Sequence, residues 1–324
     1  MAKPLDQQVV VITGASSGIG RETAARLAKR GAKVVVAARR DEALDDLVEQ
    51  IRGEGGEAVS VPTDVSVYSE VQALASAAVE QYGRIDTWVN NAGVLIVGEF
   101  EKIELDEARR LFDINFWGEL HGIKAVLPIM REQGGGTIIN VTSVTAQRPL
   151  PLMSVYSASK SALNGLSQAV RAELEGSGIE LCILMPASID TPLYQNALTT
   201  EGVMPKPAPP IYPPSEVAKA IEKTAESPKR DVYAGPAGVL FNLNNILAPA
   251  LLDKLLGAVH RPVMLTDIPE SERHNNLDTP LYDTPTTSSG GWRTPKYRAA
   301  DKLARIGLGV VALVVVRRLT RKRT

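Results

Sequence analysis

From residue 9 onward the chain alternates short, unbroken apolar runs with longer stretches in which apolar residues return every three or four positions. Residues 9–13, 33–38, 58–62, 85–90, 137–142 and 180–185 are of the first kind and predict strands. Their apolar character is continuous, as expected of strands covered on both faces. Residues 18–30, 41–52, 66–82, a long stretch ending near Arg131, and 154–177 are of the second kind and predict helices. Such alternation predicts an α/β fold. Right-handed crossovers wind it into a doubly wound parallel sheet with helices on both faces. A helix over 215–226 and an edge strand over 231–234 bring the sheet to about seven strands, in the order 3-2-1-4-5-6-7.

After Pro186 the pattern loosens. Residues 193–214 contain Met-Pro-Lys-Pro-Ala-Pro-Pro-Ile-Tyr-Pro-Pro, which fits neither a regular helix nor a central strand and predicts a lid or binding loop. Residues 239–259 form an apolar helical stretch interrupted by Pro249. Residues 260–295 lose periodicity and are rich in Pro, Thr, Ser, Asp and Asn, as an extended linker or surface arm would be. The chain ends on an apolar segment, 303–316, whose uncharged run of eleven residues (306–316) is shorter than the ~20 a membrane span needs. Lys302 and Arg305 could snorkel to lengthen it, and Trp292 and Tyr297 stand where interfacial aromatics would. The expected division is 1–258 for the α/β unit, 259–292 for the arm, and 293–324 for a basic segment with a hydrophobic helix. That last segment reads as a membrane-surface anchor, a helix packed on a partner subunit, or a disordered tail.

Aromatic residues make up 5% of the chain against 44% hydrophobic, so the core should be aliphatic. The 23% charged content excludes a mostly disordered or collagenous chain. Cys182 is the single cysteine, which excludes an intrachain disulfide and cysteine-rich zinc sites. His121, His260 and His274 lack ligand spacing, so no metal is expected. The net charge of −1 hides an asymmetry: residues 293–324 carry ten Lys/Arg and one Asp, which points to an anionic surface as partner for that end. No stacking aromatics interleave these basic residues, so nucleic acid is not the expected partner. The first residues hold no signal-peptide core, and the expected location is cytoplasmic, with membrane association through 293–324.

The chemistry gathers at predicted strand ends. Thr13-Gly14-Ala15-Ser16-Ser17-Gly18-Ile19-Gly20 lies between the first strand and first helix, where glycines admit a pyrophosphate to backbone N–H groups and the helix N-terminus favours anions. The second strand ends Ala38-Arg39-Arg40, with no carboxylate for a ribose 2′-hydroxyl and a guanidinium suited to a 2′-phosphate. Tyr156 and Lys160 share one helix face at i,i+4 spacing, and an ammonium beside a phenol lowers its pKa towards the working range of a general acid/base. Ser143, Asn90-Asn91-Ala92-Gly93 and Asp64-Val65 close three other strands at the same sheet edge, where ligands of such sheets bind.

Taken together, T-G-A-S-S-G-I-G (13–20), D-V (64–65), N-N-A-G (90–93), Asn115, Ser143 and Y-S-A-S-K (156–160) resemble the short-chain dehydrogenase/reductase superfamily over about residues 5–258. The resemblance implies a Rossmann-type fold and an NADP(H)-dependent enzyme interconverting a secondary alcohol and a ketone or aldehyde, with NAD(H) also admissible. By resemblance, Tyr156 is the general acid/base, Lys160 holds the nicotinamide ribose, Ser143 binds the substrate oxygen, and Asn115 holds a water of the proton relay. Gly14, Ser16, Ser17, Gly18, Ile19 and Gly20 frame the pyrophosphate. Asp64 and Val65 meet the adenine, and Arg39 stands at the basic position of NADP-preferring members. Asn91, Ala92 and Gly93 line the cofactor, while Pro186, Ile189 and Thr191 meet the nicotinamide. Two departures stand out: Pro186-Ala187 where the family often has Pro-Gly, and the C-terminal extension from residue 259.

Blander roles are expected for other residues. Cys182 reads as a packed thiol, His121 as exposed or core-satisfied, and Trp88 and Trp117 as core and subunit-contact residues. Met153, Tyr194 and Tyr212 stay open between substrate contact and packing. Specificity is expected from 147–153, 193–214 and the helix from Val239, with an apolar small-molecule substrate. The family's habit implies a homodimer or homotetramer through the helices of Asn115 and Tyr156. The rival reading is a membrane-associated, cofactor-binding scaffold or sensor with little turnover.

Overall fold

Seven strands run parallel in one sheet: β1 (Val9–Thr13), β2 (Lys33–Ala38), β3 (Glu57–Pro62), β4 (Thr87–Asn90), β5 (Gly136–Val141), β6 (Ile179–Pro186) and β7 (Asp231–Ala234). Their order, β3-β2-β1-β4-β5-β6-β7, is the one the alternation predicts. The structure is a computed structural model describing residues 3–270, 274–284 and 286–294. In the register Val11 lies between Val35 and Trp88. Successive side chains of a strand point to opposite faces, and here both faces are covered. Val10, Ile12, Val34 and Val36 pack under Leu27 of α1 (Gly18–Lys29), Leu44 and Leu47 of α2 (Asp41–Gly53) and Ile221 of α7 (Pro214–Glu226). Val11, Val35, Trp88 and Ile138 pack under Leu74 of α3 (Tyr68–Tyr82) and Val126 of α5 (Gly118–Glu132). Each such burial contributes about 1.5–3 kcal/mol, which explains why these strands need no aromatic core.

Several boundaries move for local reasons. Residues 66 and 67 are not helical because Asp64 accepts from both the backbone and the hydroxyl of Ser66, forming a turn that delays α3. Strand β4 starts two residues late, after Asp86, whose carboxylate accepts the Val9 N–H and pairs with Arg84. Helix α6 (Ser154–Glu173) stops short of residue 177 because Gly176 and Gly178 take φ of 77° and 76°. The long stretch ending near Arg131 is not one helix: α4 (Leu105–Phe112) and α5 flank a π-helical turn, Asp113–Trp117, that carries Asn115.

The C-terminal third departs most. The apolar stretch becomes α8 (Pro236–Leu247) and α9 (Pro249–Met264), bent by 120° at Ala248, where Pro249 opens the second helix. The expected boundary at 258/259 therefore falls inside α9. Beyond it Leu265–Pro269 pairs antiparallel with Val203–Pro205 from the expected lid. Arg261 clamps this corner through Glu99 at 2.7 Å and Glu201 at 2.6 Å. Among the described residues no single helix is long and apolar enough to cross a membrane. The readings of 303–316 and of the terminal basic cluster lie outside the described residues.

Candidate functional site

The strand order reverses between β1 and β4, and the crevice beyond their C-terminal ends is where doubly wound sheets hold ligands. The turn from β1 into α1 is pressed against the end of β4. Gly14 (φ 67°) lies so close that a Cβ there would stand 2.6 Å from the Ala92 Cα, and a Cβ on Gly20 would collide with the Gly14 carbonyl. Thr13 Oγ1 accepts the N–H groups of Asn91 (3.0 Å) and Ala92 (3.2 Å), and the Asn91 amide donates to the Thr13 and Gly14 carbonyls. The sequence-predicted Asn91 thus spends its side chain bracing the glycine turn. Gly14, Ser16, Ser17, Gly18 and Ile19 line the cleft, as do Asn91, Ala92 and Gly93, whereas Gly20 does not.

At one end of the cleft stand Ala38, Arg39, Asp64 and Val65. Burial works to raise the Asp64 carboxyl, but hydrogen bonds from Ser66 and Arg110 (3.0 Å) outweigh it and hold the group below its ordinary range. Arg110 was not foreseen: it comes from α4, far in sequence. Arg39 carries the larger surprise. Its guanidinium donates to the carbonyls of Asn276, Leu277 (3.2 Å) and Asp278 (3.1 Å). Arg40 donates to the Leu281 (2.9 Å) and Thr284 (3.1 Å) carbonyls, and the Gly18 N–H donates to the Thr287 carbonyl at 3.0 Å. The segment expected to be a linker is an arm across the cleft, and Asn276, Pro280, Leu281 and Thr284 are part of its wall.

The arm is tied down at the other end too. Asp190 accepts from the Trp292 N–H and the Ser289 hydroxyl, both at 2.8 Å, and the Trp292 indole N–H donates to the Thr191 carbonyl and to Gln195, each at 3.2 Å. Trp292, expected where an interfacial aromatic would sit, is instead buried, edge-on to Tyr194 with ring centroids 6.3 Å apart. Tyr194 lines the cleft and is buried, and burial raises its phenol. Replacing Trp292 by Ala removes an anchor of about 3–5 kcal/mol. The expected result is rapid protease cutting within 274–294 while the sheet stays folded. Limited proteolysis checks it, and cutting no faster than in the wild type would show that hydrogen bonds alone hold the arm.

At the floor of the cleft lie Ser143, Tyr156 and Lys160. Ser143 lies two residues beyond β5 and caps the short 3-10 turn Val144–Ala146; its Oγ accepts from the Thr145 N–H (3.1 Å) and hydroxyl (2.9 Å), leaving its own proton for Tyr156 or a ligand. Tyr156 stands in the first turn of α6 and Lys160 one turn later. Burial raises the Tyr156 phenol, Lys160 and the hydrogen bond with Ser143 oppose the rise, and Glu119 adds to it. Lys160 Nζ donates to Glu119 Oε1 at 2.8 Å and to the Val141 carbonyl at 3.0 Å. Asn115 does not line the cleft. It is fully buried behind it, its Oδ1 accepting the Val94 N–H (2.8 Å) and its Nδ2 donating to the Val94 carbonyl (2.9 Å).

The wall beyond the tyrosine is mostly apolar: Leu150, Met153, Leu193, Ala208 and Met264, with Pro186, Ile189 and Thr191 on the β6 side. Met153 is therefore a lining residue. Ala187 needs no positive φ, since Leu152 is the only non-glycine with one among the described residues. Tyr212 packs in the core and accepts the Ala237 N–H. Cys182 is buried, and burial pushes its thiol up to about 12. His121 binds the Val65 carbonyl at 2.9 Å and packs on Tyr68. Trp88 is fully buried, whereas Trp117 is half exposed. No His/Cys/Asp/Glu group among the described residues could hold a metal ion.

Known proteins resemble this chain in sequence and fold. The sequence profile described as short chain dehydrogenase matches residues 8–202. An uncharacterized oxidoreductase of Bacillus subtilis, YxnA, is 36% identical over 324 residues, 97% of this chain and 90% of that protein. A crystal structure of a short chain dehydrogenase/reductase from Burkholderia phymatum in complex with NAD superposes with a TM-score of 0.69 at 29% identity, over 77% of this chain and 96% of that one. An alcohol dehydrogenase from Thermococcus sibiricus complexed with 5-hydroxy-NADP gives a TM-score of 0.61 at 26% identity, over 70% of this chain and 94% of that one.

Proposed function

The chain belongs to the short chain dehydrogenase family, and from that premise we propose that it is an NADP(H)-dependent oxidoreductase interconverting a secondary alcohol and a ketone or aldehyde. The observation that carries the reading is one continuous cleft with a glycine turn and Arg39 at one end and Ser143, Tyr156 and Lys160 at the other. Its residues fit a dinucleotide. A Cβ on Gly18 would come within 3.4 Å of Thr191, another cleft-lining residue, and narrow the space for a pyrophosphate, while Ser16, Ser17 and Ile19 stand beside Gly18 at the N-terminus of α1, which favours that charge. Asp64 and Val65 would border the adenine; Ala92, Gly93, Pro186, Ile189 and Thr191 would border the nicotinamide end. When bound, the nicotinamide supplies or accepts the hydride.

The protein's own part is proton handling and orientation. Ser143 would hydrogen-bond the substrate oxygen, and Tyr156 would give that oxygen a proton in the reductive direction or take one in the reverse direction. Lys160, one helical turn away, holds the ribose and the charge balance at the phenol. The apolar wall from Leu150 to Met264 supports an apolar substrate.

Arg39 is the cofactor reader in this proposal: its guanidinium, which also holds the arm carbonyls, would pair with a 2′-phosphate. Charge-assisted hydrogen bonds to a phosphate contribute roughly 1.5–3 kcal/mol, about ten- to a hundredfold in affinity. Fluorescence titration should therefore show NADPH bound about tenfold or more tightly over NADH, with the gap closing in Arg39→Ala. If Arg39 serves only the arm, both cofactors weaken together. Cofactor binding without turnover of any carbonyl compound would favour the scaffold reading, and binding of neither cofactor would overturn both.

A further inference from the structure

One residue of this site has no part in the mechanism above. Glu119 lies in the first turn of α5, just after the π-helical turn, and is 2% exposed. Its Oε1 accepts from Lys160 Nζ at 2.8 Å, and its Oε2 is buried without a hydrogen-bond partner. The charged and titratable groups facing it are Lys160 and Tyr156, both from α6. From β4 the Asn90 amide donates to the Glu119 backbone carbonyl at 3.2 Å, and from β5 the Val141 carbonyl shares Lys160 Nζ; neither group titrates.

A buried ion pair is a poor way to stabilise a protein. Desolvating both groups costs several kcal/mol each, and an apolar pair of similar volume is often as stable or more so. The half-satisfied carboxylate makes this pair poorer still. Its electrostatic effect on Tyr156 is large by contrast. An unpaired ammonium beside a phenol favours the phenolate, whereas an ammonium touching a carboxylate presents the phenol with a neutral pair.

We propose that Glu119 is a positioning residue that cancels the Lys160 charge at Tyr156, keeping the phenol protonated and the site poised to donate a proton to a carbonyl. The bias is towards reduction, because a phenol gives up its proton in that direction and must be ionised to take one in the other. Burial pushes the Glu119 carboxyl up to about 7, with Lys160 opposing, so the carboxylate and its cancelling effect are present above neutrality and fade below it. The phenol would ionise above neutrality, in the range where the effect is present. The proposal rests on the proposed function only in the role it gives Tyr156.

The test needs no substrate. The chain has eight tyrosines, so the ultraviolet phenolate titration of each protein is referenced to the same protein carrying Tyr156→Phe. In Glu119→Gln, which keeps the shape and the acceptor for Lys160, the Tyr156 midpoint should fall by about one pH unit or more, a tenfold stronger acid. Glu119→Asp, which keeps the charge, should stay close to the wild type. An unchanged midpoint in Glu119→Gln overturns the proposal, as does a fall in Glu119→Asp as large as that in Glu119→Gln. Should Glu119→Gln fail to fold, infrared spectra of the wild type against Glu119→Asp decide. A Glu119 carboxyl ionised before the Tyr156 phenol supports the proposal, and one still protonated when the phenol ionises overturns it. If the titration behaves as expected but no carbonyl compound is turned over, the enzyme reading fails and the electrostatic one stands.

Discussion

Tyr156→Phe is expected to lower turnover by about a thousandfold while NADPH affinity stays within about twofold, since a positioned acid/base contributes roughly a hundred- to ten-thousandfold. The phenyl ring preserves the packing of a side chain that is 8% exposed, so the first turn of α6 keeps its place and Lys160 keeps its contacts with Glu119 and Val141. What goes is the only proton at the floor of the cleft that Ser143 and Lys160 both tune. The pair of measurements is NADPH binding by fluorescence and NADPH oxidation with a panel of apolar ketones. Retained turnover above about a tenth of wild type would move the proton transfer to another group and end the reading of Tyr156 as acid/base.

Lys160→Met should damage both chemistry and folding. Methionine fills the stem's volume but leaves Glu119 buried without its cation, and stranding one partner of a buried pair costs about 3–5 kcal/mol. The loss should depend on pH with a definite sign. The Glu119 carboxyl already sits near 7 against an ordinary 4.5, and without Lys160 it rises further. The folded state then holds a proton that the unfolded state has released, so stability falls as pH rises from about 4.5 and the penalty is full only above the folded-state value. Urea unfolding of Lys160→Met against wild type should show little difference near pH 5 and a wide one near pH 8. Adding Glu119→Gln removes the stranded charge and should restore most of the stability but none of the turnover. A double variant as unstable as Lys160→Met would mean that the cost comes from packing of the lysine stem.

The strands were legible because each is an aliphatic run buried on both faces, and the order of the sheet follows from handedness once they are found. Tyr156 and Lys160 were legible because their partnership is local, one helical turn apart. Glu119 was not: a lone glutamate near a helix start reads as a solvated charge, and its cation comes 41 residues later. The arm failed differently. Arg39, Arg40 and the Gly18 N–H all bind its backbone carbonyls, which every residue possesses, so no side-chain pattern in 276–287 announces the contact. The end of α9 was hidden by Pro262, which the last turn accommodates although proline usually marks a stop.

The arm also sets an order in time. A chain leaving the ribosome has made Tyr156, Lys160 and all seven strands by residue 234, some forty residues before Asn276, the first arm residue to meet Arg39. The groove between the glycine turn and Arg39 is then complete in its floor and open above. Its roof comes later in the chain, with the residues over Arg39 first, then the one at Gly18, then Trp292 on Asp190. For the emerging protein, the open groove gives a cofactor its freest approach before the arm has been made.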